Sequence, residues 1–124
     1  MRDLYHMQRA ELEDRLLKFS VGILDLSENM PNTKGSNHLC GQIARSGTAP
    51  PLLYGEACTA ESIHDFIHKM GIALKELRET RMCLRMIEMK KYIPDLKETI
   101  NENDQLIRIF GSSINTARAK LKGK

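Results

Sequence analysis

Apolar side chains recur along the first quarter of the chain at alternating steps of four and three residues. The members of this seam are Leu12, Leu16, Phe19, Ile23, Leu26 and Met30. A period of about 3.5 residues is typical of helices that pack in bundles. The pattern predicts a helix over residues 8–30 that is ended by Pro31, with an i,i+4 ion pair from Glu11 to Arg15 on its polar face.

The same spacing predicts two further helices in the second half of the chain. The third helix opens at Thr59 or Glu61 and ends with Lys90 and Lys91, and the fourth begins near Pro94. The core seam of the third helix is Phe66, Met70, Ala73, Leu77, Thr80, Leu84 and Ile87. The core seam of the fourth is Leu96, Ile100, Asn103, Ile107, Phe110, Ile114, Ala117 and Leu121. Both seams favour packed helices over strands.

Two features of these helices bear on assembly. A second seam on the third helix leaves it with a broad apolar face, and we expect this spare seam to mediate self-association. Its members are Ile63, Ile67, Met70 and Leu74. Asn103 places an amide inside the fourth seam, where a buried Asn often fixes helix register or oligomer state.

The second segment, about residues 33–57, is less regular. Thr33 is a possible N-cap, and a helix is expected from about 34 to 48. Pro50-Pro51 then removes two backbone N–H donors, so we expect a kink or a break before a short helical piece that ends near Ala57. Short turns between helices predict one domain over 1–124, an all-α antiparallel up-down-up-down four-helix bundle whose basic 118–124 tail frays.

Composition excludes several classes of protein. The 124 residues suffice for one core, and aromatic residues make up only 5% of them. No apolar run approaches the roughly 20 residues that cross a membrane, and the N-terminus has no apolar signal core, so we expect a cytoplasmic protein without a membrane partner. Cys40, Cys58 and Cys83 form no CxxC pair, which favours reduced thiols over a disulfide framework.

Charge is distributed unevenly although the net charge is only +3. No acidic residue follows Asp104, and basic residues outnumber acidic ones late in the third helix. The candidate nucleic-acid-binding residues are Arg78, Arg81, Arg85, Lys90, Lys91, Arg118, Lys120 and Lys122. Lys and Arg stripes bind phosphates with release of counterions. The alternative is a solvated face that is compensated by Glu76, Glu79 and Glu88.

Two runs in the middle of the chain carry a family resemblance. They are Arg45-Ser46-Gly47-Thr48 with Tyr54-Gly55-Glu56-Ala57, and residues 65–80. The chain resembles the bacterial four-helix-bundle proteins, also called 23S rRNA intervening-sequence proteins. The resemblance implies a ring-shaped homo-oligomer, specifically a pentamer, and no established reaction. Related bundles serve as RNA-binding accessory subunits of diversity-generating retroelements, so a nucleic-acid connection is implied as well.

The family motif singles out a further set of residues, which are Arg45, Tyr54, Glu56, Glu76 and Glu79. Arg45 and Glu56 either contact a ligand or nucleic acid, or they form structural ion pairs or caps. A partly buried Arg is used mainly for fork-shaped pairing with carboxylates, which favours an ion pair of Arg45 with Glu76 or Glu79. The sequence departs from the family pattern at Leu53, where Asn is usual, and at the added Pro50.

Metal and catalytic chemistry are poorly supported. Glu61 and His64 form one E-x-x-H motif, and His64 and His68 have the i,i+4 spacing of metal ligands. Di-iron bundles need two such motifs and two further inward Glu residues, so surface histidines are favoured and no metal or cofactor is expected. The cysteines lack the Cys/His pattern of a nucleophile, so we expect no enzyme activity.

The sequence therefore predicts a non-catalytic, oligomeric accessory protein that binds the backbone of RNA or DNA through basic patches. The alternative is a protein–protein interaction scaffold.

Overall fold

Four helices make up almost the whole chain. The computed structural model describes the backbone of residues 2–123 and the side chains of residues 8–123. The helices are α1 (Arg2–Glu28), α2 (Lys34–Cys58), α3 (Ile63–Lys90) and α4 (Lys97–Lys122), and this range contains no strand. The predicted all-α class and four-helix architecture are confirmed. None of the helices in this range is long and apolar enough to cross a membrane.

Two helix starts differ from the prediction. α1 begins at Arg2 rather than at residue 8, and α4 begins at Lys97, so Pro94 lies before the helix and not in its first turn. α4 is helical through Lys122, and the fraying of the 118–124 tail stays a prediction. Lys124 lies outside the described residues.

Side-chain caps set the starts of α2 and α3. The Thr33 hydroxyl, the predicted N-cap, accepts a hydrogen bond from the Ser36 N–H at 3.2 Å. The Ser62 hydroxyl accepts one from the Asp65 N–H at 3.0 Å, which places the start of α3 after both of the predicted opening residues. Each cap satisfies a backbone donor that the first turn leaves without a partner.

α2 continues through Pro50 and Pro51 without a break, so the predicted break is wrong and a bend there stays a prediction. Pro51 has no N–H to donate to the carbonyl of Gly47, four residues earlier. The hydroxyl of Ser20 on α1 donates to this carbonyl at 2.7 Å instead. The helices approach closely at this point, since a Cβ on Gly47 would lie 2.7 Å from Ile23 Cγ2. A neighbouring helix thus supplies the hydrogen bond that the proline removes.

The helices run antiparallel, as predicted. As residue numbers rise along one helix, the numbers of its partners on the next helix fall. The hydrogen bonds that show this are Ser20 with Gly47 and Ser27 with Cys40 between α1 and α2, and Ser46 with Thr80 and Glu56 with Lys69 between α2 and α3. Between α3 and α4, Asn103 bonds to Leu77, and Arg118 lines the same groove as His64. Packing is most extensive between α2 and α3 and least extensive between α1 and α4. No Cα atom in the described part of α1 lies within 8 Å of one in α3, so these helices occupy diagonal corners of the bundle.

One ion pair ties α1 to α4. The Arg15 guanidinium donates to both carboxylate oxygens of Glu102, at 3.0 and 2.6 Å, and to Gln105 Oε1 at 3.1 Å. The hydrogen bond to Glu102 raises the pKa of Arg15. The predicted pair of Arg15 with Glu11 is therefore wrong, because the side chain reaches across to another helix and does not bond along its own.

The seam that was predicted to be spare on α3 is largely used within the protomer. Met70 is fully buried, and Ile67 and Leu74 are partly buried against the core. The broad apolar face of α3 contacts two neighbours, because α3 packs against α2 on one side and α4 on the other. Self-association through the second seam stays a prediction. The exposed apolar side chains of α3 lie further along the helix.

A layer of buried polar side chains crosses the bundle, and each helix contributes one: Ser20, Ser46, Thr80 and Asn103. The Ser46 and Thr80 hydroxyls lie 2.9 Å apart, and Asn103 Nδ2 donates to the Leu77 carbonyl at 3.1 Å. Asn103 Oδ1 has no hydrogen-bond partner among the described residues. Since unpaired buried polar groups are costly, the layer favours one register of the helices, and Asn103 acts within the protomer.

Candidate functional site

The predicted basic residues do not form one patch. Arg81 points to α4, where its Nε donates to Asp104 Oδ1 at 2.7 Å, and both side chains are only about one-third exposed. Its charge is thus compensated by a carboxylate of the same protomer. Arg81 therefore joins α3 to α4 and contributes little to an exposed cationic surface.

Arg78 and Arg85 flank an apolar stripe on the outer side of α3, which we call the methionine stripe. Met82, Met86 and Met89 form the stripe, and all three are exposed. Arg78 is exposed, and Arg85 Nε lies 3.8 Å from Glu88 Oε1, a loose contact at the surface. This side of α3 is therefore both basic and apolar.

Lys90 and Lys91 lie at the C-terminal end of α3, and both are exposed. Lys90 Nζ lies 5.6 Å from the centroid of the Tyr92 ring, within the range of a cation–π contact. Lys91 has a left-handed backbone with φ 58°, and its N–H and that of Tyr92 bond to the Glu88 and Ile87 carbonyls at 3.0 and 3.2 Å. This arrangement is a Schellman motif that ends the helix.

Arg118 lies far from that end, in a groove between α3 and α4 that we call the basic groove. Its polar lining is His64, His68, Lys75 and Arg118, its remaining lining is Ile67, Gly71 and Ile72, and its volume is about 400 Å³. None of these lining residues is acidic. Fifteen residues of helix, or about 22 Å, separate Lys75 from Lys90, so the basic groove and the helix end are separate cationic surfaces.

Sequence reasoning did not include Lys75, His64 or His68 in the basic set. Positions 64, 68, 71 and 75 share one helix face, and this spacing was the available signal. Arg118 lies beside these residues because of the register in which α4 packs antiparallel to α3. The spacing of residues along one helix does not determine that register. Lys120 lines a different groove at the end of the bundle together with Glu61, and Lys122 is exposed in the last turn.

The family-motif residues lie along the contact between α2 and α3. Arg45 Nη1 pairs with Glu76 Oε2 at 2.9 Å, and its Nη2 pairs with Glu79. Hydrogen bonding to Glu79 and the charge of Glu76 raise the pKa of Arg45. Glu56 pairs with Lys69 Nζ at 2.8 Å, which raises the pKa of Lys69. These contacts correspond to the structural alternative for Arg45 and Glu56.

Tyr54, the remaining motif residue, belongs to the core. It is 8% exposed, and its ring packs against Phe110 with centroids 6.0 Å apart and planes tilted by 59°. Its side chain therefore joins α2 to α4 and offers no aromatic surface for stacking on a base.

The groups that could support metal or thiol chemistry are dispersed. Between residues 8 and 123, no three His, Cys, Asp or Glu side chains come close enough together to hold a metal ion. The cysteines are free thiols, and burial raises the pKa of the Cys83 thiol. A raised pKa disfavours the nucleophilic thiolate.

Comparisons with known proteins agree with the resemblance. The sequence model of the family described as 23S rRNA-intervening sequence protein matches residues 9–112. A crystal structure of a protein of unknown function from the S23 ribosomal protein family of Bacteroides thetaiotaomicron is similar, with a TM-score of 0.79 and 31% sequence identity. The similarity covers 86% of this chain and 97% of that one. No curated protein matches the sequence.

Proposed function

The chain belongs to the 23S rRNA-intervening sequence protein family, and on that premise we propose that it is a non-catalytic, homo-oligomeric accessory protein that binds the phosphate backbone of RNA or DNA. The family name connects these proteins with a segment of ribosomal RNA. Binding to the backbone needs cations that are accessible and not already paired with carboxylates of the same chain. The basic groove supports the proposal most directly.

The basic groove meets these requirements better than the rest of the predicted basic set. Its lining includes Lys75 and Arg118 and no carboxylate, whereas Arg81 is paired with Asp104. His64 and His68 add hydrogen-bond donors on the same side, and Gly71 leaves room for a phosphate to approach α3. Displacement of counterions by such cations provides the driving force for binding.

Binding of this kind distinguishes poorly between base sequences. No Tyr or Phe lines the basic groove, and Tyr54 is buried. Stacking platforms for unpaired bases are normally aromatic, so the surface suits phosphates of a duplex better than exposed single-strand bases.

Oligomerisation determines how strong such binding can be. One protomer contributes two permanent cations in the basic groove, Lys75 and Arg118, so it neutralises about two phosphates. Six or more phosphate contacts lower the affinity by about 10³-fold or more between 50 and 200 mM salt. A homo-oligomer of at least three copies reaches that number by repeating the groove, and the pentamer implied by the resemblance exceeds it.

The proposal is tested by fluorescence anisotropy with a short RNA duplex and the matching DNA duplex, at about 50 and 200 mM salt. We expect binding at low salt that weakens by about 10³-fold at the higher salt. Arg118→Glu and Lys75→Glu should each weaken binding and reduce the salt dependence, whereas Lys34→Glu, an equal change of charge at an exposed position at the start of α2, should have a small effect.

Two results would overturn the proposal. One is no binding at 50 mM salt by wild-type protein that is folded and oligomeric. The other is equal weakening by Lys34→Glu and Arg118→Glu, because the groove would then have no special role. Either result would leave the basic residues as a solvated surface and favour the protein–protein scaffold.

A further inference from the structure

Two stripes of exposed apolar side chains run along diagonal helices of the bundle. One is the methionine stripe of α3. The other, which we call the aliphatic stripe, consists of Leu17, Val21 and Leu24 on α1. Six of the seven large apolar side chains that are exposed in the described part of the chain lie in these two stripes, and they are 40–76% exposed. Clustered apolar exposure of this kind marks an interaction surface.

The two stripes have matching shapes. Each has apolar residues at steps of four and then three, which is the spacing of a seam between packed helices. Each spans eight residues from first to last, or about 10 Å of helix. The flexible thioethers of the methionine stripe can adapt to the branched side chains of the aliphatic stripe.

The surroundings of the two stripes carry opposite charge. Among the exposed residues from 13 to 28 on α1, four are acidic and one, Lys18, is basic. Among the exposed residues from 75 to 90 on α3, four are basic and one, Glu88, is acidic. Asp25 and Glu28 lie within about 40° of Val21 around the helix, at 100° per residue, so these charges border the stripe itself. Lys18 pairs with Asp14 at 2.9 Å and Arg85 contacts Glu88 loosely at 3.8 Å, so the remaining unpaired exposed charges in these ranges are acidic on α1 and basic on α3.

The position of the stripes determines how they can meet. The described parts of α1 and α3 lie at diagonal corners and both stripes are exposed, so one protomer does not cover its own stripes with each other. Pairing of α1 with α1 would oppose acidic borders, and pairing of α3 with α3 would oppose basic ones, both of which cost free energy. Pairing of α1 with α3 of another copy opposes unlike charges and joins surfaces of the same length.

We propose that the aliphatic stripe of each copy packs on the methionine stripe of the next, in a head-to-tail contact. This inference rests on the proposed homo-oligomer and assigns its interface. A contact between two different faces leaves one face of each kind free at the two ends of a row of copies. The row closes into a ring when each copy is rotated from the last by an integer fraction of a full turn. In this arrangement Arg78 and Arg85 face carboxylates of the neighbouring copy, and phosphate binding stays with the basic groove.

The test blocks one face at a time. Val21→Lys places a cation in the aliphatic stripe, where it would face the arginines of the next copy. Met86→Glu places a carboxylate in the methionine stripe, where it would face acidic residues. Each variant alone should fall from the wild-type oligomeric mass to the 14.1 kDa of one chain in native mass spectrometry and light scattering. Leu52→Lys, at an exposed position on α2 outside both stripes, should keep the wild-type mass.

Mixing the two monomeric variants is the sharpest arm of the experiment. Each keeps the face that the other has lost, so the mixture should form complexes that contain the two variants in equal numbers. Circular dichroism of each variant should retain the helical spectrum and the cooperative melting of the wild type, because the altered positions are exposed.

The outcomes separate this inference from the proposed function. A monomeric wild type would refute the homo-oligomer itself. An oligomeric wild type whose Val21→Lys or Met86→Glu variant stays oligomeric would overturn only the interface, and so would two monomeric variants that form no complex when mixed. An isologous contact through either helix would leave one of the variants dimeric.

Discussion

The hydroxyl of Ser20 has an energetic role that depends on the residue at position 51. Pro51 cannot donate to the Gly47 carbonyl, and Ser20 Oγ does so from α1 at 2.7 Å. Ser20→Ala would leave this carbonyl, which lies in the buried contact between α1 and α2, without that donor. Pro51→Ala would restore a backbone N–H four residues after Gly47, in position to form the ordinary helical bond.

The expected magnitudes follow from these contacts. A buried acceptor that loses its partner costs about 1–3 kcal/mol, so Ser20→Ala should lower the free energy of unfolding by that amount. In the Pro51→Ala background the backbone N–H replaces the lost donor, and the same substitution should cost about 0.5 kcal/mol. The coupling between the two positions is then about 0.5–2.5 kcal/mol, against a scatter of ~0.3–0.5 kcal/mol for independent sites.

Urea unfolding monitored by circular dichroism, at one fixed protein concentration, measures all four proteins of this cycle. Ser27→Ala is the matched control, since Ser27 Oγ donates to the Leu24 carbonyl within α1 at 2.8 Å and is independent of Pro51. Equal costs of Ser20→Ala in the wild-type and Pro51→Ala backgrounds would refute the reasoning, because the hydroxyl would then not compensate for the proline.

Three further predictions concern stability, and each is measured by urea unfolding. Lys91→Gly should raise the free energy of unfolding by about 1 kcal/mol, because glycine adopts φ 58° without steric cost, whereas Lys90→Gly inside the helix should lower it by a similar amount. Asn103→Leu should raise it by about 1–2 kcal/mol, because the Oδ1 without a partner disappears, and an equal or lower value would contradict the cost assigned to that atom. Burial raises the pKa of the Cys83 thiol in the folded protein above the thiol pKa of about 8.5 in the unfolded chain. The resulting contribution to stability is fully present below about pH 8.5 and is lost as the pH rises through the folded pKa, because the unfolded chain ionises first. Between about pH 8 and 10, Cys83→Ala should therefore lose less stability than the wild type, and parallel pH profiles would argue against the burial effect.

The helices were predictable because burial repeats with the helical period. Leu16, Ile23, Leu77 and Ile114 are buried at positions that the seams predicted. Such seams depend only on spacing along one chain segment, and any register of the bundle would bury them. The same argument explains why the helix starts were less accurate, since the extent of α1 before residue 8 has no seam to mark it.

The predictions that failed depended on contacts between helices. Rules for proline count the hydrogen bond lost within α2 and do not include a hydroxyl donated by Ser20 of α1. The rule for i,i+4 pairs assigned Arg15 to Glu11, although Glu102 lies within its reach across the groove between α1 and α4. The basic groove was missed for the same reason, because Arg118 and Lys75 are 43 residues apart in the sequence and meet only through the antiparallel register.

The unequal packing around the bundle also ranks the helices by the free energy needed to release them. Among the described residues, α1 and α4 each have one extensive neighbour and contact each other least, whereas α2 and α3 each pack on two neighbours. Local opening events follow the weakest contacts, so a terminal helix such as α1 can detach before α2 and α3 separate. Because α1 ends at Glu28 and α2 begins at Lys34, the linker is short, and a detached α1 that exchanged with another copy would keep the two bundles close together. The helix that offers the aliphatic stripe is thus also one through which the bundle can exchange parts with its neighbours.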